Sequence, residues 1–227
     1  LREKHPALAE GLRFILVDRA RRDLTSAVRK LTAFGLTVDA CTAIERLPRF
    51  TGLLYSNELI DAFPAHLLQK KDGKILEVYV DESGREITGD LSKPELAADA
   101  ACGAETLGEE QRHGVSLEAR AWLREAAARL EYGFLLTVDY GKRFLPGDPN
   151  PPRGFRAHAH AGDLLAEAGK QDLTASVDFA ALEAHGAAAG LAPVHFWPLS
   201  SFLIERGILG LLPKGDSPEA WAERAKI

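Results

Sequence analysis

The sequence predicts an α/β protein with a mostly parallel sheet, and three apolar runs that end alike carry the prediction. Phe14–Val17 runs into Asp18, Leu53–Tyr55 into Ser56, Asn57 and Glu58, and Phe134–Val138 into Asp139, Tyr140 and Gly141. Short apolar runs bounded by glycine or polar residues read as strands buried on both faces. In open α/β sheets, ligands bind just past the carboxyl ends of such strands, so these polar residues are the first candidates for function. The stretch Gly52–Leu68, GLLYSNELIDAFPAHLL, is the centre of this pattern. A plainer reading makes Asn57 or Glu58 the cap of a short helix over Leu59–Phe63.

Taken in order, Leu1–Glu10 is weakly helical and Gly11 ends it before the strand Arg13–Val17. Leu24, Val28 and Leu31 recur at helical spacing, and Gly35 closes that helix. A strand over Leu36–Ala40 leads through Cys41, Thr42 and Ala43 to the central strand. Strand, helix, strand, loop, strand argues for parallel pairing with right-handed crossovers. HLLQKKDGKILEVYVDESGREITG then alternates apolar and polar residues around Asp72-Gly73, a hairpin signal, and Ser83-Gly84 marks a second turn. Ala65–Thr88 is therefore expected to be a β-meander inserted in the α/β domain. Asp90–Gln111 lacks periodicity and reads as a surface excursion or a lid, so 65–111 forms a candidate substrate-facing insertion in one domain spanning 1–227. Ser116 is placed to cap an amphipathic helix over Leu117–Leu130, with Glu118 in its first turn. After the strand Phe134–Val138, Lys142–Gly154 reads as a proline-rich loop. Asp178 is placed to cap a helix over Phe179–Ala189 that Gly190 ends, Pro193–Leu199 reads as a final strand, and Phe202–Leu212 and Pro218–Lys226 as short helices.

Composition removes several function classes. With 227 residues the chain can bury a full core, and 46% hydrophobic with 27% charged residues are ordinary soluble values. A net charge of −5 gives no basic surface for nucleic acid. No apolar run approaches the roughly 18 residues of a membrane span. Cys41 and Cys102 lie far apart and form no CxxC pair, which fits buried, inert thiols. The chain opens at Leu1 and contains no Met. The opening residues read as the tail of a helix feeding a strand, so the N-terminus is expected to lie upstream and any targeting segment with it.

Asp18 ends a strand and precedes a helix, where a carboxylate offers two acceptor oxygens at the spacing of the vicinal hydroxyls of a ribose. Solvated acids at strand ends are common, and the glycine-rich turn that should precede this one by about twenty residues has no room before position 18. Asn57, Glu58 and Asp61 gather an amide and two carboxylates about one strand end, a cluster suited to a cation, a guanidinium or a metal. No recognisable metal loop accompanies it. His158 and His160 with Asp163 suggest a metal corner, but an HxH pair in an Ala-rich segment is ordinarily incidental. A metal is not expected, and neither a GxSxG elbow nor a Cys-His arrangement supports nucleophilic hydrolysis.

Four motifs occur in order: NELIDAFP at 57–64, LLTVDYG at 135–141, RGFRAH at 153–158 and QDLTASVDF at 171–179. Together they resemble the MidA family of S-adenosylmethionine-dependent methyltransferases, which includes a mitochondrial complex I assembly factor that methylates an arginine. The resemblance covers the chain from about Arg13 onward. Ser176 stands where the family commonly has His, and the region carrying the family's glycine-rich cofactor loop is missing. The resemblance implies a class I methyltransferase (Rossmann-like) sheet, S-adenosylmethionine as cofactor, Asp18 on its ribose, Thr42 and Ala43 near its adenine, and Asn57 and Glu58 facing the methyl-donor end. It further implies a protein substrate, with a respiratory complex subunit as one candidate, in the cytoplasm of a bacterium or the mitochondrial matrix of a eukaryote. The oligomeric state stays open between monomer and homodimer. For an arginine acceptor, Glu58 is the first choice to grip the guanidinium, with Asp61 and Asp139 in support and Tyr140 closing the pocket. Asp172 and Thr174 read as anchors of the following loop. The competing reading is a binding or assembly module that keeps the fold without turnover.

Overall fold

The computed structural model describes residues 6–156, 159–166, 169–211 and 217. The chain divides into two compact units, meeting at Leu191 and Ala192. The first unit begins with α1 (Pro6–Gly11), β1 (Phe14–Val17), α2 (Arg21–Ala33) and β2 (Val38–Cys41). Gly35 ends α2 in the left-handed region, at φ 71, while its N–H and that of Leu36 close the last carbonyls. β1 and β2 pair in parallel, Phe14 against Val38 through Val17 against Cys41.

β3 spans Phe50–Asn57 and is longer than the expected Leu53–Tyr55. After an antiparallel region described below it meets β8 (Leu130–Val138), again in parallel, with Leu53 beside Phe134 and Asn57 beside Val138. The two backbones approach so closely that a Cβ on Gly133 would lie 1.9 Å from the Gly52 carbonyl oxygen, so only glycine fits there. The expectation that this strand is buried on both faces is corrected. Leu54 and Leu135 face the core, whereas Leu53 and Tyr55 are 58% and 57% exposed, and Tyr132 and Phe134 beside them are exposed as well.

The meander consists of β4 (His66–Lys71), β5 (Lys74–Val80) and β6 (Glu86–Gly89). Asp72 and Gly73 both take positive φ at the two-residue turn, as the Asp-Gly signal requires. Asp90–Gln111 is no structureless excursion. It carries a 3-10 turn and α3 (Ala97–Thr106), and Leu96 is 0% exposed. β7 (Arg112–Val115) then pairs with β4, completing a four-stranded sheet in the order β6, β5, β4, β7. Ala-rich α3 hid from the sequence because alanine belongs equally to core and surface, so no apolar face stands out.

α4 (Leu117–Arg129) organises the unit. The Ser116 hydroxyl accepts from the Ala119 N–H at 3.1 Å and donates to the Pro64 carbonyl at 2.9 Å, which starts the helix and ties it to the 57–64 segment. Successive turns of α4 then enter three core clusters. Leu117 joins Leu68, Leu96 and Val115; Ala119 and Trp122 join Ile60 and Val177; Trp122 and Ala126 join Ile44, Leu47, Leu54 and Leu135.

The segment read as a loop, Lys142–Gly154, is one over residues 143–152 and is bounded by β9 (Gly141–Lys142) and β10 (Arg153–Arg156). β10 lies between β11 (Ala159–Ala161) and β12 (Asp172–Thr174), while β13 (Val177–Asp178) runs parallel to β9. Asp178 accepts from the N–H groups of Ala180 and Ala181 and caps α5 (Phe179–Ala188). In the second unit Pro193–Leu199 forms no strand among the described residues. Two prolines, 193 and 198, remove ladder donors there, and α6 (Leu199–Glu205) follows, then a 3-10 turn over Ile208–Leu211. The helix expected over Pro218–Lys226 lies outside the described residues.

Candidate functional site

The carboxyl ends of β3 and β8 stand side by side because their register pairs Asn57 with Val138. The chain leaves β3 through Glu58, a non-glycine residue at φ 47, and its N–H still bonds the Val138 carbonyl at 2.9 Å. A left-handed glutamate carries strain that needs support from its surroundings. Support comes from Asp139, whose Oδ2 accepts from the N–H groups of Leu59 at 3.2 Å, Ile60 at 2.9 Å and Asp61 at 3.4 Å. Its Oδ1 accepts from the Tyr140 N–H at 2.8 Å. Residues 58–63 therefore form a carboxylate-anchored turn, with Phe63 N–H on the Ile60 carbonyl, and not the alternative capped helix.

The side chains around this turn are acidic. Tyr140, itself exposed, reaches the Glu58 Oε1 with its hydroxyl at 3.4 Å. The Tyr55 hydroxyl lies 3.3 Å from the Asn57 Oδ1. Asp61 is 6% exposed. Burial first, then the charges of Asp139 and Glu58, push its carboxyl above the usual carboxylate range. Ile60 anchors the turn in the core beside Ala119 and Val177.

A second loop is clamped onto the first. The Ala175 N–H donates to the Asp61 carbonyl at 3.0 Å and the Val177 N–H to the Tyr140 carbonyl at 2.8 Å. Asn150 Nδ2 holds the Ser176 carbonyl at 2.8 Å, and the Arg153 guanidinium bonds the Ser176 hydroxyl. These hydrogen bonds join the motifs at 57–64, 135–141, 153–158 and 171–179 into one structure, which spacing alone did not reveal. Asp172 and Thr174 contribute through the pairing of β12 with β10. Next to the clamp lies a shallow, open cleft bordered by Ile60, His113, Arg120, Ser176 and His185. Burial, then Arg120, holds the His185 imidazole below its ordinary range.

Asp18, Thr42 and Ala43 stand at the ends of β1 and β2. The Asp18 Oδ1 accepts from the Ala20 N–H at 2.8 Å, while its Oδ2 has no partner among the described residues. A strand-end carboxylate with a free oxygen fits the vicinal hydroxyls of a ribose. Ala43 opens the 3-10 turn over Ile44–Arg46, and its carbonyl lies 3.4 Å from the Cys41 thiol. What links this group to Asn57, Glu58 and Asp61 is the cluster in which Ile15 and Cys41 pack with Leu54 and Leu135. His158 lies outside the described residues. The His160 ring lies tilted against Phe155, Asp163 caps the Leu165 N–H, and no cluster of three or more potential metal ligands occurs among the described residues.

Two parallel strand pairs, β1 with β2 and β3 with β8, each ending in polar residues and accompanied by α2 and α4, fit a class I methyltransferase-like fold. Residues 1–197 match the family of S-adenosyl-L-methionine-dependent methyltransferases, and the chain belongs to that family, whose cofactor is S-adenosylmethionine. Among solved structures, a COG1565 superfamily member from Burkholderia thailandensis bound to S-adenosyl-homocysteine superposes with a TM-score of 0.76 at 26% identity, over 96% of this chain and 59% of that one. The mitochondrial protein arginine methyltransferase NDUFAF7 of Danio rerio is 33% identical over 66% of this chain and 36% of its own length. The protein of the same name from Mus musculus is 32% identical over 88% of this chain and 47% of its own length. The chain thus spans less than half the length of these curated relatives. No described helix is long and apolar enough to cross a membrane.

Proposed function

We propose that this chain contributes the acceptor side and part of the cofactor site of a protein arginine methyltransferase. The observation that carries the reading is the juxtaposition of three carboxylates, Glu58, Asp61 and Asp139, at the ends of two adjacent parallel strands. A guanidinium is planar, permanently cationic and poorly nucleophilic while protonated. Carboxylates bonding two of its nitrogens orient the third and offset developing positive charge. Glu58 is the gripping group, Asp61 and Asp139 support it, and Tyr140, within reach of Glu58, closes the pocket.

Asp18 serves the cofactor ribose, Thr42 and Ala43 border the adenine, and Asn57 faces the methyl-donor end. The cofactor supplies an activated methyl group on a sulfonium centre, and the chain's own work is alignment. Domain 1–227 acts as one methyltransferase-like domain with 65–111 turned toward the protein substrate, for which a respiratory complex subunit is the candidate implied by the family. Names of the relatives support arginine as the acceptor.

The test is calorimetric titration of S-adenosylhomocysteine into the full chain and into Asp18→Ala. Binding by the parent that weakens about 10-fold or more in the variant, the worth of a charged hydrogen bond, upholds the cofactor assignment. Equal affinity of the two proteins removes Asp18 from the site.

A further inference from the structure

Asp139 spends its carboxylate on the backbone. The N–H groups of Leu59, Ile60 and Asp61 converge on its Oδ2 and that of Tyr140 on its Oδ1, so of the carboxylate's roughly four acceptor positions those of Oδ2 are taken up by the turn and one on Oδ1 is used. Its Oδ2 is therefore committed to holding the turn that carries Glu58 and Asp61. The same bonds pin Asp61 on one side, and the Ala175 N–H pins its carbonyl on the other. The Asp61 side chain is left buried and facing carboxylates, Asp139 from the end of β8 and Glu58 from its own turn. The Ala62 N–H bonds the Asp61 carboxylate and offsets part of this, while Asp178 in the clamping loop is engaged with Ala180 and Ala181.

We propose that Asp139 is a positioning residue acting through Asp61, and that Asp61 receives the proton released when a guanidinium nitrogen is methylated. The inference rests on the arginine reading and replaces the supporting role given there to Asp139. In the step, a nitrogen–methyl bond forms as the sulfonium–methyl bond breaks, and sulfur keeps the bonding pair. The attacking nitrogen loses its N–H proton to an Asp61 carboxylate oxygen, and the product leaves as a methylated cation. Glu58 stays ionised as the grip. The upward push that burial, Asp139 and Glu58 exert on Asp61 suits a general base, whose affinity for a proton should approach the working pH.

The test is a carbon-13 NMR titration of the side-chain carboxyl groups in the full chain, with the Asp61 signal identified by its loss in Asp61→Asn. The expected midpoint for Asp61 lies above that of a free aspartate. It falls in Asp139→Asn and falls by less in Glu58→Gln, which leaves the backbone anchor whole and decides the matter if the first variant does not fold. Ethylguanidinium chloride, the cationic probe, is expected to lower the parent midpoint and to have less effect in Glu58→Gln. On a Gly-Arg-Gly peptide, Asp139→Asn shifts the acid limb of the pH–rate profile to lower pH, whereas damage to the fold alone would lower the profile without moving it. An Asp61 that titrates like free aspartate, or is unmoved in both variants, overturns the proposal even in a protein that binds S-adenosylhomocysteine. A shifted Asp61 in a protein that fails to bind S-adenosylhomocysteine sinks the methyl-transfer reading and the proton role together, leaving only the coupling of residues 139 and 61.

Discussion

Glu77 and Asp61 are both buried carboxylic acids, 4% and 6% exposed, in opposite surroundings. On β5, Glu77 meets donors on every side. His66 Nδ1 lies at 2.7 Å and the Ser92 hydroxyl at 3.0 Å from Oε1, while the Ser92 N–H lies at 2.6 Å and the Tyr79 hydroxyl at 3.1 Å from Oε2. Burial alone would raise this acid, but the bonds from Ser92, His66 and Tyr79 outweigh it and hold the group below the usual range. Asp61 has the Ala62 N–H as a donor, but burial and the charges of Asp139 and Glu58 outweigh that bond and hold it above the range. A buried charge is tolerated where donors converge on it. Where acids converge instead, the ionised group weighs against the fold.

Removing the satisfied acid should have the largest effect. Glu77→Ala leaves His66, Ser92 and Tyr79 facing a cavity, and a loss of about 3 kcal/mol is expected in urea denaturation at neutral pH. The pH dependence has a definite sign. Because folding lowers the affinity of Glu77 for a proton, its contribution is present above the unfolded pKa and is lost as pH falls through the depressed folded value. Glu77→Gln should therefore flatten the acid side of the stability profile; an unchanged acid side would mean that the donors do not hold an anion.

Asp178 offers an intermediate case, a carboxylate satisfied by two backbone N–H groups at the start of α5. Asp178→Ala should cost about 1 kcal/mol, read from the thermal midpoint. A cost matching that of Glu77→Ala would show that the capping loop, clamped onto residues 61 and 140, contributes more than its helix.

These three acids also mark how far the sequence could be read. Asp178 was legible as a cap because a cap depends only on its neighbours along the chain, and Ser116 was legible for the same reason. The strand-end positions of Asp18, Asn57, Glu58 and Asp139 were legible because an apolar run that stops at an acid is a local signal. Glu77 was not, since alternation placed it on the meander but the donors come from His66 and Ser92, 11 and 15 residues away. The difference between Asp61 and Asp139 was equally hidden. It arises from the left-handed turn at Glu58 and the β3–β8 register, which bring residues 78 to 80 apart into hydrogen bonds. The bare face of β3 was misread because an apolar run says that a strand is apolar, not how many of its faces are covered.

The smallest expected effect carries the opposite sign. Folding raises the affinity of Asp61 for a proton, so its favourable contribution is present below the unfolded pKa and is lost as pH rises through the folded value. At neutral pH the ionised group weighs against the fold. Asp61→Asn keeps the size of the side chain and removes the repulsion from Asp139 and Glu58, and should stabilise the chain by about 1 kcal/mol near neutral pH. The gain should shrink in acid, where the native carboxyl is already protonated. Measured by urea denaturation at both pH values, a stabilised Asp61→Asn beside a destabilised Glu77→Gln would fix the contrast between an acid that weighs against the fold and one that supports it. Destabilisation of both would place Asp61 with Glu77, as an anion that the fold requires.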